Sequence, residues 1–110
     1  MKKFLVIFRQ DIQCVAPCDV VDQLRSTIFP NGIGKPLIII DRCKEDSDGF
    51  TVTLKYRIES DCSENAVSEI CDIMDFDALG DETVFSVLDL SSGQKVDAIV
   101  FQDGKVKIAA

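Results

Sequence analysis

The sequence predicts an α+β fold, on three observations. Residues 50–59, "FTVTLKYRIE", alternate apolar and polar side chains with period two, the mark of a strand with one buried and one wet face. Two other stretches, within residues 17–29 and 61–76, place their apolar residues at helical spacing. A chain of 110 residues that is 46% apolar is one domain, residues 1–110, with enough apolar side chains for a real core.

Taken in chain order, residues 3–9 are an apolar run of strand length. Two lysines before it give a faint likeness to a secretion signal. However, the run Phe4–Phe8 is shorter than a signal's ~7–15 apolar residues, and Arg9 and Asp11 close it. A first β-strand is the better reading. In "APCDVVDQLRSTIFPNG", Pro17 suits a first helical turn, and Asp19 and Asp22 favour the positive end of the helix. Val20, Val21, Leu24 and Ile28 mark its apolar side, and "FPNG" stops it. A strand follows at about 36–43, "PLIIIDRC", then a turn, "KEDSDG", and the alternating strand already described.

The second helix is expected over about 61–76. Asp61 is the expected N-cap, and Glu64, three residues on, completes a capping-box pattern. At about 100° per residue, Cys62, Ala66, Val67, Ile70, Cys71, Ile73 and Met74 fill one side. Asp61, Glu64, Asp72 and Asp75 fall on the other. "ETVFSVLDL" is then a strand, "SSGQ" a turn and "KVDAIVFQ" a strand. The Asp-Gly of "QDGK" turns the chain into a last short strand, "VKIA".

The order β-α-β-β-α-β, followed by a C-terminal β-hairpin, points to a two-layer sandwich of the ferredoxin-like kind. Both helices would lie on one face of an antiparallel sheet, and right-handed crossovers leave few other topologies. The first two strands are apolar at consecutive positions, so both of their faces call for burial. Either the C-terminal hairpin curls over the outer face or a second copy of the chain covers it; a homodimer is the favoured expectation.

Charge is the strongest functional signal. The net charge is −7, and it is unevenly spread. Residues 1–60 carry nine Lys and Arg against eight Asp and Glu, and residues 61–110 carry three against eleven. Residues 61–82 hold eight carboxylates and no cation. Such a balance disfavours nucleic acid and anionic membrane, which need a positive footprint, and leaves basic proteins open. No stretch approaches the ~18 apolar residues of a membrane span. The expected localisation is cytoplasmic.

Five cysteines, an odd number without a secretion signal, argue against a disulfide framework. "CVAPC" could be a redox or soft-metal pair, with the Cys18 thiol acidified at a helix start. Its spacing is one residue longer than C-x-x-C, and there is no His to complete a metal site, so packing thiols are the plainer reading. "DSDGF" has the start of a calcium loop but no closing Glu in register, and reads as a turn. Without His a nucleophilic triad lacks its usual base, and "PNGIGKP" lacks phosphate-loop spacing. Arg42, Lys44, Lys55 and Arg57 could share the outer sheet face. RNA-binding sheets add exposed aromatics to such cations, where this strand offers Thr51 and Thr53.

The expectation is therefore a non-catalytic protein-binding domain without a cofactor or metal, of an inhibitor, immunity-protein or adaptor type. Asp61, Glu64, Asp72 and Asp75 would engage Lys and Arg of a basic partner. The plainer account of these acids is a solvated helix face. Surface helices ordinarily mix Lys with Glu, however, and carboxylates near a helix C-terminus oppose its dipole. The alternative function is a dimeric regulatory module that senses a small molecule between subunits. A third, weaker one is thiol chemistry at Cys14 and Cys18.

Overall fold

The computed structural model describes residues 1–13, 16–42, 49–75 and 82–109. These form a mixed α+β structure with two helices and a six-stranded antiparallel sheet. Cys14, the turn "KEDSD" with its calcium-loop fragment, Asp77 and Asp81 lie outside the described residues.

Strand β1 runs from Lys2 to Gln13 and is longer than its apolar run. It pairs with β3 (Gly49–Ser60) over its whole length, from Lys2 opposite Ser60 to Gln13 opposite Gly49. The alternation continues beyond Phe8, because Ile12 is buried opposite Phe50 while Arg9 and Asp11 stay on the other face. Counting consecutive apolar residues stops too early in a strand whose second half returns to the core at Ile12, with Gln10 half-buried between Phe8 and Ile12 on the same face.

Helix α1 spans Cys18–Thr27, with Pro17 at the flanking position in helical conformation. Val20, Leu24 and Ile28 are buried. The Phe29 N–H reaches back to the Leu24 carbonyl, and Gly32 takes a positive φ of 113°, which ends the helix where "FPNG" suggests. Strand β2 is Leu37–Arg42.

Helix α2 spans Ser63–Cys71, shorter at both ends than the sequence suggests. Its N-cap is Cys62, in extended conformation, and no side chain caps the helix. The expected Asp61 cap and its capping box with Glu64 do not form. Cys62 also leaves the core side assigned to it and is exposed, since the 100° projection does not apply to a non-helical residue. At the other end, Ile73 and Met74 bond back to Ile70 and Cys71 in tighter three-residue turns. The Asp75 N–H then bonds to the Ile28 carbonyl of α1 at 2.7 Å. That inter-helix bond replaces the one that would have continued α2.

Strands β4 (Glu82–Asp89), β5 (Lys95–Phe101) and β6 (Val106–Ala109) complete the sheet, in the order β2-β3-β1-β4-β5-β6. The β5–β6 hairpin extends the sheet beside β4. It does not curl over the outer face, which removes one of the two covers expected for that face. Full pairing with β4 gives the hairpin its backbone partners within the sheet, while Lys95, Asp97 and Lys107 put charges on its open side.

The inner face of the sheet presents Phe4, Val6, Phe8, Val52, Leu54, Phe85, Val87, Ala98 and Val100 to one core cluster. That cluster also contains Val20, Leu24 and Ile28 of the first helical segment and Ala66, Val67 and Ile70 of α2. The ring of Phe8 meets Phe29 edge-on at 6.3 Å and Phe85 at 5.3 Å. The Tyr56 hydroxyl donates to the Ile33 carbonyl at 2.7 Å, and burial pushes this phenol's pKa upward, so it stays a donor. On the outer face Leu5, Ile7, Ile39, Leu88 and Ile99 are half-buried, while Leu37 and Val84 are 62% and 54% exposed.

Candidate functional site

The four acids proposed from the sequence fall into two groups. Asp61 and Glu64 lie at the N-terminal end of α2, both exposed. Asp72 caps the C-terminal end and is also exposed. Along the helix axis Glu64 and Asp72 stand about 12 Å apart, at a rise of ~1.5 Å per residue. Asp75 lies beyond the helix, half-buried, held by its backbone against the end of α1. The helix therefore does not carry all four on one continuous arc; it presents acids at both ends.

Asp61, Glu64 and Asp72 take part in no ion pair among the described residues. Glu69 adds an exposed carboxylate to α2, and Asp19 and Asp22 add two to α1. The two described helical segments carry one cation between them, Arg25. Sequence reasoning passed over Asp19 and Asp22 as a helix-start signal. Their i, i+3 spacing was the clue that α1 shares the acidic character.

Cations concentrate on the other side. Alternation and register place Lys3, Arg9, Lys55, Arg57, Lys95 and Lys107 on the outer face of the sheet, mixed with Asp11, Asp41, Glu59, Glu82 and Asp97. Arg42 does not join them. Its guanidinium lies 5.3 Å over the ring of Phe50, an inner-face residue, because it occupies the same alternation as Ile38 and Ile40. Lys44 lies outside the described residues.

Asp61 also borders a depression of about 150 Å³ with Lys2, Phe4, Cys62, Ser63, Asp89, Gln94 and Val96. The Asp89 carboxyl is held below the usual carboxylate range, chiefly by the Ser91 N–H it accepts at 2.9 Å. Bonds from Ser92 and the charge of Lys2 act in the same direction, against some opposition from burial. These bonds close the β4–β5 turn, so Asp89 has a structural use that its position in "LDLSSGQ" did not reveal.

Cys18 and Cys62 are free and exposed, and Cys71 is free and buried. Burial, reinforced by the neighbouring Asp72 carboxylate, pushes the Cys71 thiol up to about 12, so it remains a protonated packing group at neutral pH. No group of three or more metal-ligating side chains comes together among the described residues. No helix among them is long and apolar enough to cross a membrane. No protein-family model, curated protein or solved structure is significantly similar to the chain.

The two ends of α2 make opposite demands on a carboxylate. Near the N-terminus the dipole favours Glu64; at the C-terminus it opposes Asp72. Asp72→Lys is expected to stabilise the fold by about 0.3–1 kcal/mol, and Glu64→Lys to destabilise it by a similar amount. Urea denaturation at low salt reads both. A loss of stability in Asp72→Lys would show that the fold needs this carboxylate after all.

Proposed function

We propose that this chain is a small, non-catalytic protein-binding domain that engages a basic partner through the acidic residues flanking α2. The observation that carries the reading is a carboxylate kept where the fold gains nothing from it. Asp72 is exposed, has no ion-pair partner among the described residues, and sits at the end of the helix where its charge is disfavoured. Asp61 and Glu64 extend the negative potential to the other end, and α2 itself contains no Lys or Arg. Such a surface steers a cationic partner and then blocks it, as an inhibitor, an immunity-type protein or an adaptor does.

The reading includes a ferredoxin-like two-layer sandwich with an added hairpin, supported by the strand order β2-β3-β1-β4 and by the shared core of both helices. It also places the protein in the cytoplasm, which the free thiols of Cys18, Cys62 and Cys71 favour. The test is an NMR titration with an arginine-rich peptide. Shifts of amides in residues 61–75 that vanish at high salt support the proposal. Shifts confined to the sheet, or none at all, overturn it.

A second reading, a dimeric module that senses a small molecule, is favoured by the uncovered outer face with its exposed Leu37 and Val84. Its signature is thermal stabilisation by one member of a metabolite panel.

A further inference from the structure

We propose that two copies of the chain stack outer sheet face on outer sheet face, strands antiparallel, about a two-fold axis that crosses β1 between Ile7 and Arg9. The proposal rests on the dimer of the second reading, independently of any small molecule, and adds its surface and orientation. Both edges of the sheet are blunted, β2 by Lys35 and Pro36 ahead of its start and β6 by Lys107. The outer face is open. Leu5, Ile7, Val84 and Leu88 of β1 and β4 run down its centre, Ile39 and Ile99 lie to either side, and none of the six is fully buried. Six strands ~4.8 Å apart and about seven residues of ~3.4 Å give this face roughly 600 Å², near the ~800 Å² that each partner of a standard interface buries.

Charge selects a second copy as the occupant and sets how it sits. The chain carries −7, and its two helical segments hold one cation, so an approach through the helices puts acids against acids. The outer face, with six cations among five acids, is nearly neutral. One row across it, Arg57-Leu5-Leu88-Lys95, is cationic, and beyond that row Lys3 and Glu59 offset each other. Asp41, Asp11 and Glu82 make the other end acidic.

Stacked sheets usually keep their strand directions within about 30° of each other, which leaves two two-fold arrangements. An axis along the strands lays Asp11 and Glu82 on the partner's acidic end. An axis across the strands lays them on its cationic row. Placed on the Ile7 row, that axis would oppose Lys55 to Lys55 and Asp97 to Asp97; placed on the Arg9 row, it would oppose Arg9 to Arg9. Between the two rows no charge meets its own copy. Each Arg57 then stands over the second copy's Thr51, whose hydroxyl donates to Asp11 at 2.7 Å and holds that carboxylate close by. Each Lys95 stands over the second copy's Phe101, the cross-strand neighbour of Glu82. Asp11, Arg57, Glu82 and Lys95 are exposed and have no ion-pair partner among the described residues. These pairs fix the orientation, and the apolar centre supplies the affinity.

Sedimentation velocity from about 1 μM to about 500 μM reads the association. The expected result is a concentration-dependent species of twice the chain mass. Val84→Lys, at a position 54% exposed in the centre of the face, should leave the chain monomeric over this range. Lys95→Glu should weaken the dimer about tenfold by turning two attractions into two repulsions. Lys95→Glu combined with Glu82→Lys should restore it. Within one chain these two positions lie about 20 Å apart along the strands, at ~3.4 Å per residue, so a restoration reads contact between copies. Lys95→Glu combined with Asp72→Lys restores the net charge alone and should stay weak. Far-ultraviolet circular dichroism checks that each variant folds. A monomer throughout the range overturns the dimer and this surface together. A dimer that persists in Val84→Lys overturns the outer face and leaves a dimer of another kind. Failure of Glu82→Lys to restore the dimer, or equal rescue by Asp72→Lys, overturns the orientation.

Discussion

Phe8→Ala is expected to cost about 3–5 kcal/mol of stability. Phe8 is fully buried on β1, the strand bonded to β3 on one side and β4 on the other. Its ring touches Phe29 from the end of α1 and Phe85 from β4, so its loss opens a cavity where three segments of the chain meet. Those neighbours are held by β-ladder bonds and by the Phe29 N–H to the Leu24 carbonyl, which limits how far they can collapse into the space. Against a typical domain stability of ~5–15 kcal/mol, the variant would stay folded with little margin. Its midpoint in urea should fall while the slope stays unchanged. Arg9→Ala, one residue on and facing the open side, should shift stability by no more than about 0.5 kcal/mol. A loss below about 1 kcal/mol in Phe8→Ala would move the centre of the core away from the three phenylalanines.

The strands were legible because their constraint is local and strict. Phe50, Val52, Leu54 and Tyr56 face one way whatever their partners are, so period two survives in the sequence. The ends of α2 were not legible, because tertiary contacts set them. Residues 61–76 keep helical spacing to Met74, but the bond from Asp75 to the Ile28 carbonyl depends on a segment more than forty residues away. The Asp61 cap failed for a related reason. Asp61 and Glu64 fit a capping box by spacing, and the backbone turned helical one residue later, leaving Cys62 in the cap position. Spacing proposes a helix start; φ and ψ, fixed by where the chain enters from β3, decide it. The apolar outer face was read correctly from "FLVIF" and "LIII", yet no sequence pattern could show that the hairpin stays in the plane of the sheet. For the acidic residues, composition gave their number. It could not show that the fold divides them between two ends of a nine-residue helix, with six cations on the opposite sheet face among five acids.

The placement of these acids around α2 makes the functional prediction a local one. Asp61→Asn, Glu64→Gln, Asp72→Asn and Asp75→Asn, combined, should slow association with a basic protein retained by the immobilised wild-type chain. Electrostatic steering contributes ~10–10³-fold to association rates at low salt, and a loss of about tenfold or more is expected. The dependence of the association rate on ionic strength should flatten, while the dissociation rate changes less. The variant should fold, since the dipole contributions lost at the N-terminal end of α2 are offset by the strain relieved at Asp72. A matched control separates this surface from net charge. Neutralising Asp41, Glu59, Glu82 and Asp97, four exposed acids of the outer sheet face, removes the same number of charges from the total of −7. If net charge alone steers the partner, the two variants lose rate equally. If the acids flanking α2 are the docking surface, the control keeps most of the wild-type rate, because at physiological salt the field of each charge fades over ~8 Å and the sheet's outer carboxylates lie on the far side of the core from α2. Equal losses would reduce the acidic stretch to a solubility device and leave the partner-binding role without a site.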